Sequence, residues 1–290
     1  MTNSIDFIIV GAAKSGTTTL HDLLRQHPEI FLPKKKELHF FDNEINFERG
    51  IETYFKNFEK TNKLICGEIT PSYMFFEKVP KRLSSFLGKD LKLIFILRNP
   101  VDRAISHYNF NKSRGFEDLS FEDAIEIESK RINVSEKYKR RYSYMSRGLY
   151  FSQINNFLKY YKKENIHVII FEDFLKNKIN EMNNLFSFLN LNPISLNFDY
   201  RSNYTSRPKS IILNKFIFKE SLFKKVLRIF IGNDLRKVLR DLLKKTNAGK
   251  PFKNKKMSLQ EKKLLSSKYF DEDVNNLENY LGYDIKSWKF

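Results

Sequence analysis

Ile5-Asp6-Phe7-Ile8-Ile9-Val10-Gly11-Ala12-Ala13-Lys14-Ser15-Gly16-Thr17-Thr18 begins as an apolar run, turns at a glycine, and leads into Leu20, Leu23 and Leu24 at helical spacing. The pattern reads as strand, loop, helix. Small loop residues let backbone N–H groups approach an anion, and the helix N-terminus adds partial positive charge, so a phosphate fits the loop. Its candidate ligands are Lys14, Ser15, Gly16, Thr17 and Thr18. The two glycines are spaced as in GxxxxGK[ST], but Thr17 stands where that loop has lysine, and the lysine here is Lys14. An NTPase puts that lysine on the β and γ phosphates and a hydroxyl on Mg²⁺. This arrangement suits a single phosphate bearing a terminal group, with no required metal. The bland alternative is a tight connection without a ligand.

A second unit repeats the form. Leu91 to Leu97 reads as a buried strand, Arg98-Asn99-Pro100 as a turn, and Val101 onward as a helix with proline near its first turn. A third strand, His167 to Phe171, follows the amphipathic pattern of Tyr150, Ile154, Phe157, Leu158 and Tyr161. Strands alternating with helices predict an α/β fold, a P-loop-like parallel sheet flanked by helices, with a helical C-terminal region. Ser106 falls about two turns into the helix after Arg98, and helical side chains lean toward the N-terminus, so the pair is a candidate second phosphate site. The competing reading pairs Arg98 with Asp102 and leaves Ser106 to helix packing. Two anion loops at strand ends favour the ligand reading, because a parallel sheet presents ligands at that edge.

The 290 residues are read as one domain: an α/β core over 1–205 and a mainly helical, acceptor-facing extension over 206–290. Lys209 to Lys245 mixes Ile, Leu and Phe with many basic residues, which predicts basic amphipathic helices that line a cleft for an acidic glycan, lie on a membrane, or simply face the core. A helix is expected over Leu259 to Leu281, a short end at Trp288, and a linker at Lys250 to Lys256. The 52 Lys and Arg against 34 Asp and Glu leave +18, which favours polyanionic partners without choosing among them. The lone Cys66 excludes an internal disulfide, and the five histidines show no HExxH spacing, so no metal is expected. No basic, apolar leader precedes the first strand, and a cytoplasmic enzyme is expected. A P-loop kinase lacks its lysine after Gly16, and a nucleic-acid-binding protein lacks any readout module, so no nucleic acid is expected as partner.

The motifs together resemble the sulfotransferases that use 3′-phosphoadenosine 5′-phosphosulfate (PAPS). Lys14-Ser15-Gly16-Thr17-Thr18 resembles their 5′-phosphosulfate loop, and Arg98-Asn99-Pro100 through Ser106-His107-Tyr108 is similar to their 3′-phosphate motif. Lys36-Glu37-Leu38-His39-Phe40-Phe41 looks like the catalytic segment of the heparan sulfate and carbohydrate branch. Further matches follow at Glu68 to Tyr73, Arg147 to Tyr150 and Phe171 to Phe174, and weaker likenesses at Asn203 to Pro208 and Leu281 to Trp288. The resemblance implies sulfuryl transfer to a hydroxyl or amine of a carbohydrate or other hydroxyl-bearing acceptor, with adenosine 3′,5′-bisphosphate as the other product. Glu37 is then the general base, in an extended segment that projects it to the same side as His39, its assistant. Lys14 holds the 5′-phosphate and bridging oxygen, with Thr17 and Thr18 around it; Arg98 and Ser106 bind the 3′-phosphate. One departure is Ile69, where glycosaminoglycan enzymes of this branch carry lysine; Lys34, Lys35 or Lys36 is expected to supply the charge.

Overall fold

The computed structural model describes residues 4–58, 64–199, 206–208, 248–251 and 255–289. Its main sheet has five strands in the order β2-β3-β1-β4-β5. These are β1 (Phe7–Gly11), β2 (Ile30–Phe31), β3 (Ile65–Ile69), β4 (Lys92–Leu97) and β5 (Ile166–Ile170). Every pairing is parallel. The order places β1 in the middle, with β3 on one side and β4 on the other. The chain reverses its direction of travel across the sheet there, and such a switch point opens a crevice at the carboxyl edge. The loops after β1 and β4 flank it.

Alternation along the strands sorts side chains onto two faces. Ile8, Val10, Leu93, Phe95 and Leu97 pack on one face with Tyr150, Ile154 and Phe157 of α9 (Tyr150–Leu158). Phe7, Ile9, Ile94, Ile96 and Ile169 pack on the other with Leu20, Leu23 and Leu24 of α1 (Thr17–Leu24) and with Met182, Leu185 and Phe186 of α11 (Lys178–Phe188). Phe95 and Phe157 meet edge to face at 5.2 Å and 90°, a geometry that adds about 0.5–1.5 kcal/mol beyond the area buried. Both faces are thus covered, as the strand–helix alternation requires.

The helices between are α2 (Glu44–Phe47), α3 (Ile51–Phe55), α4 (Lys78–Leu87), α5 (Pro100–Ser113), α6 (Phe121–Glu126), α7 (Glu128–Ile132), α8 (Glu136–Tyr142) and α10 (Phe171–Lys176). The helix expected over Leu259 to Leu281 is two, α12 (Leu259–Tyr269) and α13 (Asp271–Leu281), parted where Phe270 turns inward. Asp273 in the first turn of α13 accepts from the backbone N–H groups of Phe151 and Ser152 at 2.8 and 2.9 Å. These are free donors of the α9 N-terminus, where a carboxylate is stabilising.

Two compact units cluster: residues 1–104, 145–200 and 258–290 form one, and residues 105–144 and 201–257 the other. The first contains the five-stranded sheet together with α12 and α13. The second contains an antiparallel pair, β6 (Ser206–Pro208) and β7 (Ala248–Pro251), so part of the linker expected at Lys250 to Lys256 is strand. Its buried polar centre is Glu117, which accepts from Arg131 Nη1 at 2.7 Å and from the Tyr144 hydroxyl at 2.8 Å. The helices expected over Lys209 to Lys245 lie outside the described residues. Among the described residues no helix is long and apolar enough to cross a membrane.

Candidate functional site

The loop after β1 carries the first cluster. Gly16 stands at the start of α1 with φ 90°, and a Cβ there would lie 2.5 Å from the Phe171 ring. Glycine is therefore required twice over, for its backbone conformation and for room. Ser15 is fully buried and Thr17 nearly so, whereas Thr18 is exposed. No side chain caps the helix start, so its N–H groups remain available to an anion.

Arg98 follows β4, and its guanidinium lies 5.4 Å from the centre of the same Phe171 ring. Gly16 and Arg98 thus share one aromatic wall, which brings the two anion loops of the first unit to one place. The alternative partner of Arg98 is occupied elsewhere, since Asp102 pairs with Lys262 at 2.7 Å. Arg98 Nε is buried with no hydrogen-bond partner among the described residues. A buried guanidinium nitrogen without an acceptor is costly, and a phosphate oxygen would satisfy it. Ser106 lies farther along α5, half-buried, in the stretch that belongs to the second unit.

Between these loops runs 36–42, and it is not extended as expected: Glu37 has φ 60° and His39 φ 51°. Lys14 also has positive φ, at 75°. Side chains with a Cβ pay about 1 kcal/mol or more for such conformations, which persist only where surrounding contacts impose them. Here the Glu37 N–H donates to the Ile69 carbonyl at 3.1 Å, and the Phe40 and Phe41 N–H groups donate to the Tyr73 hydroxyl at 3.1 and 3.3 Å. Both phenylalanine rings are buried against Tyr54 and Phe47. The His39 carbonyl accepts from Asn46 Nδ2 at 2.8 Å. The anchored backbone turns Glu37 and His39 toward each other, with Oε2 and Nε2 3.7 Å apart.

On its other side His39 Nδ1 lies 3.1 Å from the wholly buried carboxylate of Asp42 and 3.2 Å from Ser72 Oγ, which donates to Asp42 at 2.5 Å. Burial opposes the charged ring, but Asp42 and Glu37 outweigh it and push the His39 pKa up to about 9. His39 is therefore an imidazolium at neutral pH, held between two carboxylates. That cation, with the charges of Lys36 and Lys14, keeps the Glu37 carboxyl below its ordinary range against the pull of burial. Lys36 Nζ donates to Thr18 Oγ1 at 2.7 Å and stands 3.9 Å from Glu37 Oε1. It joins the carboxylate to the phosphate-loop helix, whereas Lys34 and Lys35 are exposed. Burial lowers the Lys36 pKa, the mark of an ammonium drawn partly out of water.

The structure thus brings together Lys14, Glu37 and His39, and adds Lys36, Asp42, Ser72 and Phe171. Asp42 was not singled out in the sequence, although its place three residues beyond His39 is a signal that could have found it; Ser72 and Phe171 arrive from other strand ends. Ile69 is buried in the core beside Phe7, Ile9 and Leu20. Its carbonyl, not its side chain, serves the site.

The loop after β1, the arginine turn after β4 and the charged 36–42 segment that follows β2 all leave the carboxyl ends of strands of one parallel α/β sheet. The sulfotransferase domain family matches residues 4–221, and the chain belongs to it. Heparan sulfate glucosamine 3-O-sulfotransferase 5 of Mus musculus is 31% identical over 190 residues, covering 64% of this chain and 53% of that protein. The membrane-associated sulfotransferase kil1 of Dictyostelium discoideum is 39% identical over 152 residues, 47% of this chain and 31% of its own. The chain thus spans about half the length, or less, of these curated relatives. A crystal structure of a sulfotransferase from Alicyclobacillus acidocaldarius superposes with a TM-score of 0.70 at 26% identity, over 98% of both chains.

Proposed function

We propose that this chain transfers a sulfuryl group from PAPS to a hydroxyl or amine of a carbohydrate acceptor, with Glu37 as general base. One observation carries the reading: an ionised carboxylate lies among three cations, Lys14, Lys36 and His39, beside the anion loop of a sulfotransferase-family chain. The carbohydrate is argued from the heparan sulfate relative.

PAPS supplies an activated sulfuryl group whose leaving group is adenosine 3′,5′-bisphosphate. The chain has little covalent work to do, so orientation and electrostatics dominate. The amides of Gly16 to Thr18 and the Lys14 ammonium hold the 5′ end and offset charge growing on the bridging oxygen. Arg98 takes the 3′-phosphate, the group that separates this donor from ATP. Glu37 accepts the acceptor's proton as the new O–S or N–S bond forms and the S–O bond to the leaving group breaks. His39, fixed by Asp42 and Ser72, orients Glu37 and balances its charge until the proton arrives. Lys36 supplies beside Thr18 the positive charge that Ile69 does not.

Titration calorimetry with adenosine 3′,5′-bisphosphate and with ATP plus Mg²⁺ tests the donor. The bisphosphate is expected to bind at least tenfold more tightly, about 1.4 kcal/mol; equal or tighter binding of ATP overturns the assignment.

A further inference from the structure

The Arg98–Asn99 turn is gripped from three distant parts of the chain. The Asn99 N–H donates to Glu172 Oε1 at 3.0 Å, and the Trp288 indole Nε1–H donates to Glu172 Oε2 at 2.8 Å. Asn99 Nδ2 reaches back to the Trp288 carbonyl at 3.4 Å. The Arg98 carbonyl accepts from the Tyr150 hydroxyl at 2.8 Å, and the Tyr150 and Trp288 rings lie 5.7 Å apart. Asn99 and Trp288 are both buried, at 3% and 5% exposure. Asn99 Oδ1 meanwhile accepts from the Val101 and Asp102 N–H groups at the start of α5. One carboxylate therefore ties the turn after β4 to the segment near residue 288 through both of its oxygens. The side chain of Arg98 departs from this fixed backbone across the face of Phe171, the residue just before Glu172.

We propose that Trp288 and Glu172 are positioning residues that hold Arg98 ready for the donor's 3′-phosphate. Arginine loses several rotatable bonds of freedom on binding, so a backbone locked beforehand reduces the cost of capture. Neither residue needs to touch the nucleotide. The inference rests on the role given above to Arg98, and it adds that the segment around Trp288 sets 3′-phosphate recognition.

Trp288→Phe keeps a ring against Tyr150 but removes the indole donor. Glu172→Gln has one acceptor oxygen where two donors converge. Each variant is titrated by calorimetry with adenosine 3′,5′-bisphosphate and with adenosine 5′-monophosphate. Affinity for the bisphosphate is expected to fall about tenfold, the scale of a lost hydrogen bond to a charged group, with the monophosphate unchanged. Equal weakening of both nucleotides, or no change in either, overturns the positioning role. Wild-type protein that binds the two nucleotides equally overturns the role of Arg98 itself, and with it this inference. Should Trp288→Phe fail to fold, Glu172→Gln carries the comparison; failure of both to fold makes the contact structural support alone and overturns the proposal.

Discussion

Two glutamates of the first unit, Glu37 and Glu68, meet opposite treatment. Glu37 is half-exposed on the 36–42 loop among Lys14, Lys36 and His39, and its pKa is lowered. Glu68 is 1% exposed on β3, and burial raises its pKa against the hydrogen bonds of Thr70, Tyr54 and Tyr73. The Tyr54 and Thr70 hydroxyls each donate to it at 2.6 Å. Cations keep the first charged and accessible, whereas hydroxyl groups satisfy the second inside the core. The two are mechanically joined, because Tyr73 contacts Glu68 and also holds the Phe40 and Phe41 amides of the loop. The buried carboxylate thereby shapes the floor on which the exposed one works.

The comparison breaks most sharply at Glu37. Glu37→Gln is expected to lower turnover by about 10²-fold or more while adenosine 3′,5′-bisphosphate still binds, a loss typical of a general base. Unchanged turnover in a single-turnover assay with labelled PAPS would move the base elsewhere. Glu68→Leu should leave the Tyr54 hydroxyl buried without its acceptor and cost about 1–3 kcal/mol in denaturant unfolding. An unaltered midpoint would deny the floor its structural role. Lys36→Met removes a partly desolvated charge beside Thr18, and kcat should fall about tenfold, with Lys36→Arg recovering part of it. A change confined to acceptor KM would make Lys36 a substrate-binding residue instead.

The smallest effect concerns pH. The folded-state pKa of His39, about 9, exceeds its ordinary 6.5, so its stabilisation is complete below 6.5 and is lost as pH rises through 9. For Glu37 the sign is reversed, with stabilisation lost as pH falls through its lowered pKa. Thermal unfolding of wild type should therefore weaken between pH 6.5 and 9 relative to His39→Asn, by a modest amount because the ring is 39% exposed. A flat difference between the two proteins across that window would remove the charged histidine.

The parts of the fold with simple periodicity were readable from residues alone. β1, β4 and β5 are apolar runs ended by glycine, Arg98 or a new helix, and they lie where that pattern predicts. β3 escaped because Cys66-Gly67-Glu68 breaks the apolar run, and Glu68 is tolerated there through hydroxyls contributed by Tyr54, Thr70 and Tyr73. The break at Phe270 carries no proline or glycine, and it is set by burial of that ring. In the site, the motif residues Lys14, Glu37 and His39 meet, but through left-handed backbone that an isolated segment does not favour. Asp42 lay close in sequence, whereas Ser72 and Phe171 join the site only through sheet topology, which no local spacing encodes.

A crystal structure with adenosine 3′,5′-bisphosphate would show whether one nucleotide reaches both Lys14 and Arg98. The 5′-phosphate is expected on Lys14 and the amides of Gly16 to Thr18, within reach of the Glu37 loop, and the 3′-phosphate on Arg98 beside Phe171. A nucleotide bound elsewhere, or one whose 3′-phosphate leaves Arg98 untouched, would contradict it.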